Sequence, residues 1–316
     1  PLATNDMQPL ATPLADASIE KIFHAAEYDL ISLQRDFGFE VCNLFDTMYA
    51  ARLCNFKHFG LADLIYNLFE VELDKSHQTD DWGLRPLPED SLQYAQMDTH
   101  YLPRLRDILL KKLRKLGRFE EAQEVFADVL RIEAKDSRFD PEGYWKLGRP
   151  KSLRRRQMAL LKEVYLLREE IAQEEDLPPF KVFTNKALIE LVEEYPRNHT
   201  DLYRLRHVKE RQVRVYGEDI LEALQRGRKG RVGKPPREQM PERKLLERYN
   251  ALYAWRKKRA NKRGIGASLI VSKATLWAIA EAQPRDTKAL AKIEGIGPWR
   301  LQQYGESLLA VVASMR

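Results

Sequence analysis

Short apolar runs alternate with stretches at helical spacing over the first hundred residues. Residues 19–24 predict a short buried strand, and residues 25–37 a helix with Leu30 and Leu33 inward and Asp29 near its start. Residues 41–45 predict a second strand. Asp46 and Thr47 then cap a helix that runs through Leu53. Another helix is predicted over residues 61–69, and a polar loop over residues 73–82. Pro88, Glu89 and Asp90 open the next helix, which holds Tyr94 and Asp98. Strands alternating with helices predict an α/β domain.

Further along, the spacing is helical only. Leu160, Leu161, Val164, Leu167 and Ile171 form one apolar stripe that Pro178 and Pro179 end. A second helix follows Thr184 with Leu188, Leu191 and Val192 inward, and Pro196 stops it. A third is predicted over residues 200–205 and a last over residues 216–224. This pattern then returns. Residues 184–221 align without a gap onto residues 272–309, at a constant offset (304 − 216 = 88). Leu188/Leu276, Pro196/Pro284, Arg197/Arg285, Tyr216/Tyr304 and Gly217/Gly305 are identical pairs, and Arg168/Arg256 and Ala172/Ala260 keep the register upstream. The period is too long for a solenoid unit, so two copies of one small helical domain are predicted. Residues 227–241 between them are rich in Gly, Pro, Lys and Arg and predict a flexible basic linker.

Charge sharpens the division. Residues 1–150 carry 18 Lys+Arg against 26 Asp+Glu, and residues 151–316 carry 35 against 21. An acidic half joined to a strongly basic half fits a nucleic-acid partner for the latter, although a solvated Lys/Arg-rich helical surface has the same composition. No run approaches the ~18 apolar residues of a membrane span. Cys42 and Cys54 are the only cysteines, too few for a disulfide framework or a four-thiolate zinc site, which fits a reducing cytosol.

Candidate chemistry is concentrated at few positions. Tyr94 and Asp98 lie one turn apart on one helix face. A phenol and a carboxylate placed so can share one water, the carboxylate through a metal and the phenol by a hydrogen bond; helix surfaces also produce such pairs freely. In the second helical copy, Gly295 and Gly297 allow a tight turn before a helix whose first amides can hold an anion, with Arg300 beside them. A plain connection between helices would look the same. Arg256, Lys257, Lys258 and Arg259 form a basic run suited to a phosphate backbone.

The residues add up to a resemblance. Lys21-Ile22-Phe23-His24-Ala25-Ala26-Glu27-Tyr28-Asp29, Leu44-Phe45-Asp46-Thr47, Gly60-Leu61-Ala62-Asp63-Leu64, Leu73-Asp74-Lys75-Ser76, Asp81-Trp82, Arg85-Pro86-Leu87 and Tyr94-Ala95 with Asp98 resemble, in order and spacing, the ribonuclease D family. That family comprises 3′→5′ exoribonucleases of the tyrosine-bearing branch of the DEDD superfamily. The duplicated helical domain resembles the HRDC domain, so the likeness covers essentially the whole chain. It implies an α/β domain with a partial ribonuclease H-like fold, followed by two all-α HRDC bundles. The implied boundaries are 1–118 for the exonuclease domain, 119–150 for a helical connector, 151–226 for the first HRDC domain, 227–242 for the linker and 243–316 for the second.

The resemblance assigns Asp29 to the second exonuclease motif and Tyr94 and Asp98 to the third, with Asp29 and Asp98 as ligands of a two-metal Mg2+ or Mn2+ site and Tyr94 orienting the attacking water. Asp46 is read as a helix cap and His24 as a buried histidine at a strand end. Lys75, Arg256, Lys257, Lys258, Arg259, Gly295, Gly297 and Arg300 are the positions expected to meet nucleic acid. The family's first motif, Asp-x-Glu, is absent: before Lys21 the acids are Asp6, Asp16 and Glu20. Truncation ahead of Pro1 accounts for this, as does a degenerate, non-catalytic relative. The implied function is trimming of RNA 3′ ends, tRNA precursors among them, by a cytoplasmic enzyme. The alternatives are a nucleic-acid-binding remnant and a DNA-directed 3′→5′ exonuclease; the oligomeric state is left open.

Overall fold

The computed structural model describes residues 7–74, 76–132, 139–148, 153–231 and 241–315. It divides into two compact units, residues 1–135 together with 241–316, and residues 136–240.

The first unit begins with the short helix α1 (Ala11–Ala15), strand β1 (Lys21–Phe23), helix α2 (Glu27–Phe37), strand β2 (Leu44–Asp46) and helix α3 (Thr47–Leu53). The strands pair in parallel, Lys21 opposite Leu44 and Phe23 opposite Asp46. The crossover through α2 is what parallel pairing requires. Asp46 fixes this corner. It is fully buried, caps α3 through Met48 N (2.9 Å) and Tyr49 N (3.1 Å), and also accepts from Ala26 N (2.8 Å). The cap reading of Asp46 therefore holds. Helices α4 (Leu61–Phe69), α5 (Glu89–His100), α6 (Leu102–Lys115) and α7 (Phe119–Leu130) complete the domain. Leu53, Leu64, Leu105, Leu109 and Leu113 are fully buried in its core.

The expected helical connector over residues 119–150 divides between the units. Helix α7 carries an apolar face of Ala122, Val125, Phe126 and Val129. That face needs a partner and finds it on the sheet, with Phe126 and Phe45 ring centroids 5.0 Å apart. Helix α8 (Tyr144–Gly148) instead buries Tyr144 and Trp145 in the second unit.

The second unit continues with α9 (Arg155–Glu174), α10 (Pro179–Val182), α11 (Asn185–Glu194), α12 (His199–Tyr203) and α13 (Glu210–Lys229). The chain then returns to the first unit with α14 (Arg243–Arg263), α15 (Ala267–Ile270), α16 (Lys273–Ala282), α17 (Thr287–Leu290) and α18 (Pro298–Ser314). Each start in the second set lies 88 residues after its counterpart, from α9/α14 (243 − 155) to α13/α18 (298 − 210). The local chemistry repeats as well. Thr184 caps α11 at Ala187 N, and Ser272 caps α16 at Thr275 N. Asn198 and Asp286 cap α12 and α17, and Tyr195 and Gln283 both turn the chain at φ 47°. Tyr216 and Tyr304 are each the seventh residue of the last helix. The bulk of the expected linker, residues 232–240, lies outside the described residues.

Within the first unit, the second helical bundle packs on α7. Arg263 on α14 meets Glu121 of α7, which has no exposed side-chain surface. Arg300 on α18 donates to Asp128 of α7, and the Glu124 carboxylate accepts from Trp299 N (2.6 Å) and Arg300 N (3.2 Å). No described helix is long and apolar enough to cross a membrane.

Candidate active site and nucleic-acid interface

A cleft of about 820 Å3 opens at the end of β1, beside α2 and α5. Asp29, Tyr94 and Asp98 all line it, together with His24, Asp63 and Asp74. Asp29 and Asp98 are 69 residues apart in sequence (98 − 29). They meet here because Asp29 stands in the first turn of α2, where β1 delivers the chain, and Tyr94 and Asp98 share one face of α5. Trp82 leans on Tyr94 with ring centroids 5.9 Å apart, a neighbour that the sequence pattern did not signal.

The electrostatics of the cleft are one-sided. Desolvation raises the carboxyls of both Asp29 and Asp98 above the ordinary carboxylate value. Neither has a cationic partner among the described residues. Tyr94 is raised too, first by desolvation and then by the nearby Asp98 charge, so its phenol keeps its proton. His24 is lowered to about 4 by burial. Its Nδ1 lies 2.9 Å from Thr47 Oγ1, and that hydroxyl donates to the Phe23 carbonyl. The imidazole is therefore a neutral donor through Nδ1; it stands at the strand end as expected but is half-buried on the wall of the cleft, not fully buried.

Among the described residues, no group of three or more His, Cys, Asp or Glu side chains stands close enough together to hold a metal ion. The carboxylate pair is right in kind for Mg2+ or Mn2+ but short in number, since such ions take about six oxygen ligands and a two-metal site must share them between two ions. The described residues do not make up that site.

Several positions expected to meet nucleic acid do other work. Arg256 is 4% exposed; it donates to the Val271 carbonyl at 3.0 Å and lies over the Tyr253 ring. Its repeat partner Arg168 donates in the same way to the Phe183 carbonyl, so the identity Arg168/Arg256 reflects packing. Arg300 is 1% exposed and is held by Asp128 and the Gly295 carbonyl. Gly295 turns at φ 82°, where a Cβ would run into Thr275, so its glycine serves the turn. Gly297 leaves room for Glu124, whose carboxylate already occupies the helix end proposed for a phosphate. Arg256, Gly295, Gly297 and Arg300 are thus structural. Lys257 and Lys258 are exposed and Arg259 is partly exposed. Lys75 lies outside the described residues.

Comparison with known proteins agrees with this organisation. A family model described as 3′-5′ exonuclease matches residues 1–114, and the HRDC domain model matches residues 157–224 and 246–312. An exonuclease-type domain with a pair of HRDC domains defines the class. The chain carries both parts, and the ribonuclease D relatives that it matches support the ribonuclease D family within that class. Ribonuclease D of Gluconacetobacter diazotrophicus is 32% identical over 238 residues, covering 74% of this chain and 60% of the relative. Human exosome complex component 10 is 34% identical over 200 residues, covering 61% of this chain and 23% of that protein. The chain thus spans less than two thirds of the length of the first of these relatives and under a quarter of the second. A crystal structure of Escherichia coli RNase D, described as an exoribonuclease involved in structured RNA processing, superposes with a TM-score of 0.63 at 24% identity, covering 99% of this chain and 84% of that one, and supports the fold. The catalytic core of RRP6 from Trypanosoma brucei superposes with a TM-score of 0.58 at 26% identity, covering 68% and 60%.

Proposed function

We propose that the chain supplies the substrate-binding and part of the catalytic surface of a 3′→5′ exoribonuclease acting on RNA 3′ ends, tRNA precursors included. The observation that carries this reading is the convergence of Asp29, Tyr94 and Asp98 on one cleft of an exonuclease-family domain. Metal ligands and water-orienting groups must meet in space, whereas capping acids need not.

Each residue has a role that its own chemistry supports. The Tyr94 phenol, held protonated, donates a hydrogen bond to a water or to a phosphate oxygen at the scissile bond. Asp29 and Asp98 are desolvated and without a cationic partner among the described residues, and they favour positive charge beside that phosphate. An acidic cleft repels RNA, so capture falls to the basic surfaces of the HRDC domains, where Lys257, Lys258 and Arg259 remain available. Backbone contacts of this kind position the strand and specify little sequence.

With no three of the described carboxylates close enough together to hold a metal ion, the chain by itself is expected to hydrolyse RNA weakly. That observation also favours a second reading, a nucleic-acid-binding protein without turnover. The two are separated by assaying 3′-labelled RNA with Mg2+ or Mn2+, using the chain alone and a version carrying an Asp-x-Glu strand upstream of β1. Turnover in the extended version, abolished by Asp98→Asn and only lowered by Tyr94→Phe, is the expected result. Equal turnover with and without Asp98→Asn refutes the site.

A further inference from the structure

A second cleft, of about 290 Å3, lies between the α6–α7 turn and the second HRDC domain. Arg118 from the exonuclease domain lines one side; Arg259, Arg263, Trp299, Gln303 and Tyr304 line the other. Three guanidinium groups in so small a space repel one another unless something answers their charge. Arg263 is answered by Glu121. Arg118 is not: it donates to the Leu53 carbonyl and to Asn55 Oδ1 (3.0 Å), both neutral oxygens. Arg259 reaches only the Ser307 hydroxyl, at 3.4 Å, and lies over the rings of Trp255 and Tyr304. Neither Arg118 nor Arg259 has a carboxylate partner among the described residues.

Arginines fixed by neutral acceptors and aromatic faces, and left with their charge unneutralised, are organised to bind an anion. Guanidinium forks bind phosphate by charge-assisted pairs, and less entropy is lost when the fork is already positioned. The exposed Gln303 amide adds a donor. We propose that this cleft is a phosphate subsite for a single strand of RNA, closed by Arg118 from one domain and Arg259 from the other. The choice of RNA rests on the exoribonuclease reading; the phosphate chemistry does not. Because the site is built from both domains, a strand bound there bridges them, and RNA binding stabilises the docked second HRDC domain by mass action.

The test is the affinity of labelled oligouridylate and oligothymidylate as a function of salt, measured in EDTA so that no turnover intervenes. Arg259→Gln and Arg118→Gln should each weaken oligouridylate binding roughly tenfold, and the double variant should lose less than the product of the two, as expected for groups on one phosphate. The slope of log affinity against log salt should flatten by about 0.7, one phosphate's worth on a single strand. Arg118→Gln also removes bonds to Leu53 and Asn55, so Gln303→Glu is the cleaner probe: it adds a repelling charge at an exposed position and should weaken binding several-fold. Arg259→Lys should recover part of the loss. Unchanged affinity and slope for both Arg259→Gln and Gln303→Glu overturn the proposal, as does a loss confined to oligothymidylate. A protein that binds RNA in this way but never cleaves it sinks the exoribonuclease reading alone; one that cleaves while these variants bind normally sinks the subsite alone.

Discussion

Removing Arg263 should destabilise the first unit far more than removing its partner. Glu121 has no exposed side-chain surface, whereas 20% of the Arg263 side chain is exposed. Arg263→Ala leaves a carboxylate stranded in the interface, and breaking a buried pair in this way costs roughly 3–5 kcal/mol. Glu121→Ala leaves a guanidinium that still meets the Tyr304 hydroxyl and the Trp299 ring and can be rehydrated from its open side. Its cost should be nearer ~1–3 kcal/mol, the penalty for a polar group that finds partial compensation. The double variant Arg263→Met/Glu121→Met should recover much of the loss, because an apolar pair of similar volume demands no desolvation of charge. Urea unfolding followed by tryptophan fluorescence reports this directly, since Trp255 and Trp299 pack edge-on against Tyr304. If Arg263→Ala costs less than about 1 kcal/mol, or no more than Glu121→Ala, the contact does not clamp the second HRDC domain onto α7 and the reasoning fails.

Gly297→Ala drives a Cβ into the Glu124 carboxylate and should cost ~0.5–2 kcal/mol, the worth of a helix cap; Ala tolerated at full stability in the same urea assay would show that Glu124 does not hold α18. Arg168→Ala and Arg256→Ala should lower stability to a similar extent while leaving the salt dependence of RNA binding untouched, and a flattened slope for Arg256→Ala would return it to the RNA surface. His24 titrates at about 4 in the fold against an ordinary 6.5, so the unfolded chain binds more protons between those values. Its contribution is complete above pH 6.5, is lost progressively as pH falls towards 4, and amounts to a few kcal/mol at ~1.4 per pKa unit. The stability difference between the parent and His24→Asn should therefore shrink over that window in pH-resolved denaturation, and a constant difference would place His24 in water.

Where the determinants are local, the sequence could be read closely. Asp46 caps α3 because an acid stands directly before Thr47 at a strand end, and nothing distant is needed to see it. The two HRDC copies were legible for the same reason: caps, turn residues and apolar positions recur at one offset. The basic run was misread at Arg256 although the pattern held a signal. Leu252, Arg256 and Ala260 follow one another at a spacing of four and all face inward, and Arg256 is matched in the repeat by Arg168. A position on that inward face, kept in both copies, is explained by packing, whereas identical pairs such as Arg197/Arg285 stand exposed in both. Arg300 and Gly297 offered no such signal. Their partners Asp128 and Glu124 lie more than 170 residues upstream (300 − 128 = 172) on a helix that the sequence assigned to a connector.

The placement of Glu124 changes what the second HRDC domain can do. A helix N-terminus presents free amides and the positive end of a dipole, and a carboxylate satisfies both as well as a phosphate does. Trp299 N and Arg300 N are already bonded to that carboxylate, so a nucleic-acid phosphate could take the site only by displacing a side chain of the same protein. Displacement would also give up part of the contact between α18 and α7, while the Arg263–Glu121 and Arg300–Asp128 pairs resist it. The anion-binding capacity of this helix end thus goes to holding the domain in place, and the RNA contact proposed above falls to cations that the docking leaves unneutralised among the described residues. Those are Lys257 and Lys258 on the open face of α14, and Arg259 with Arg118 at the seam. On that proposal, docking and RNA binding draw on separate sets of charges, so a strand bound to the domain leaves its contact with α7 intact.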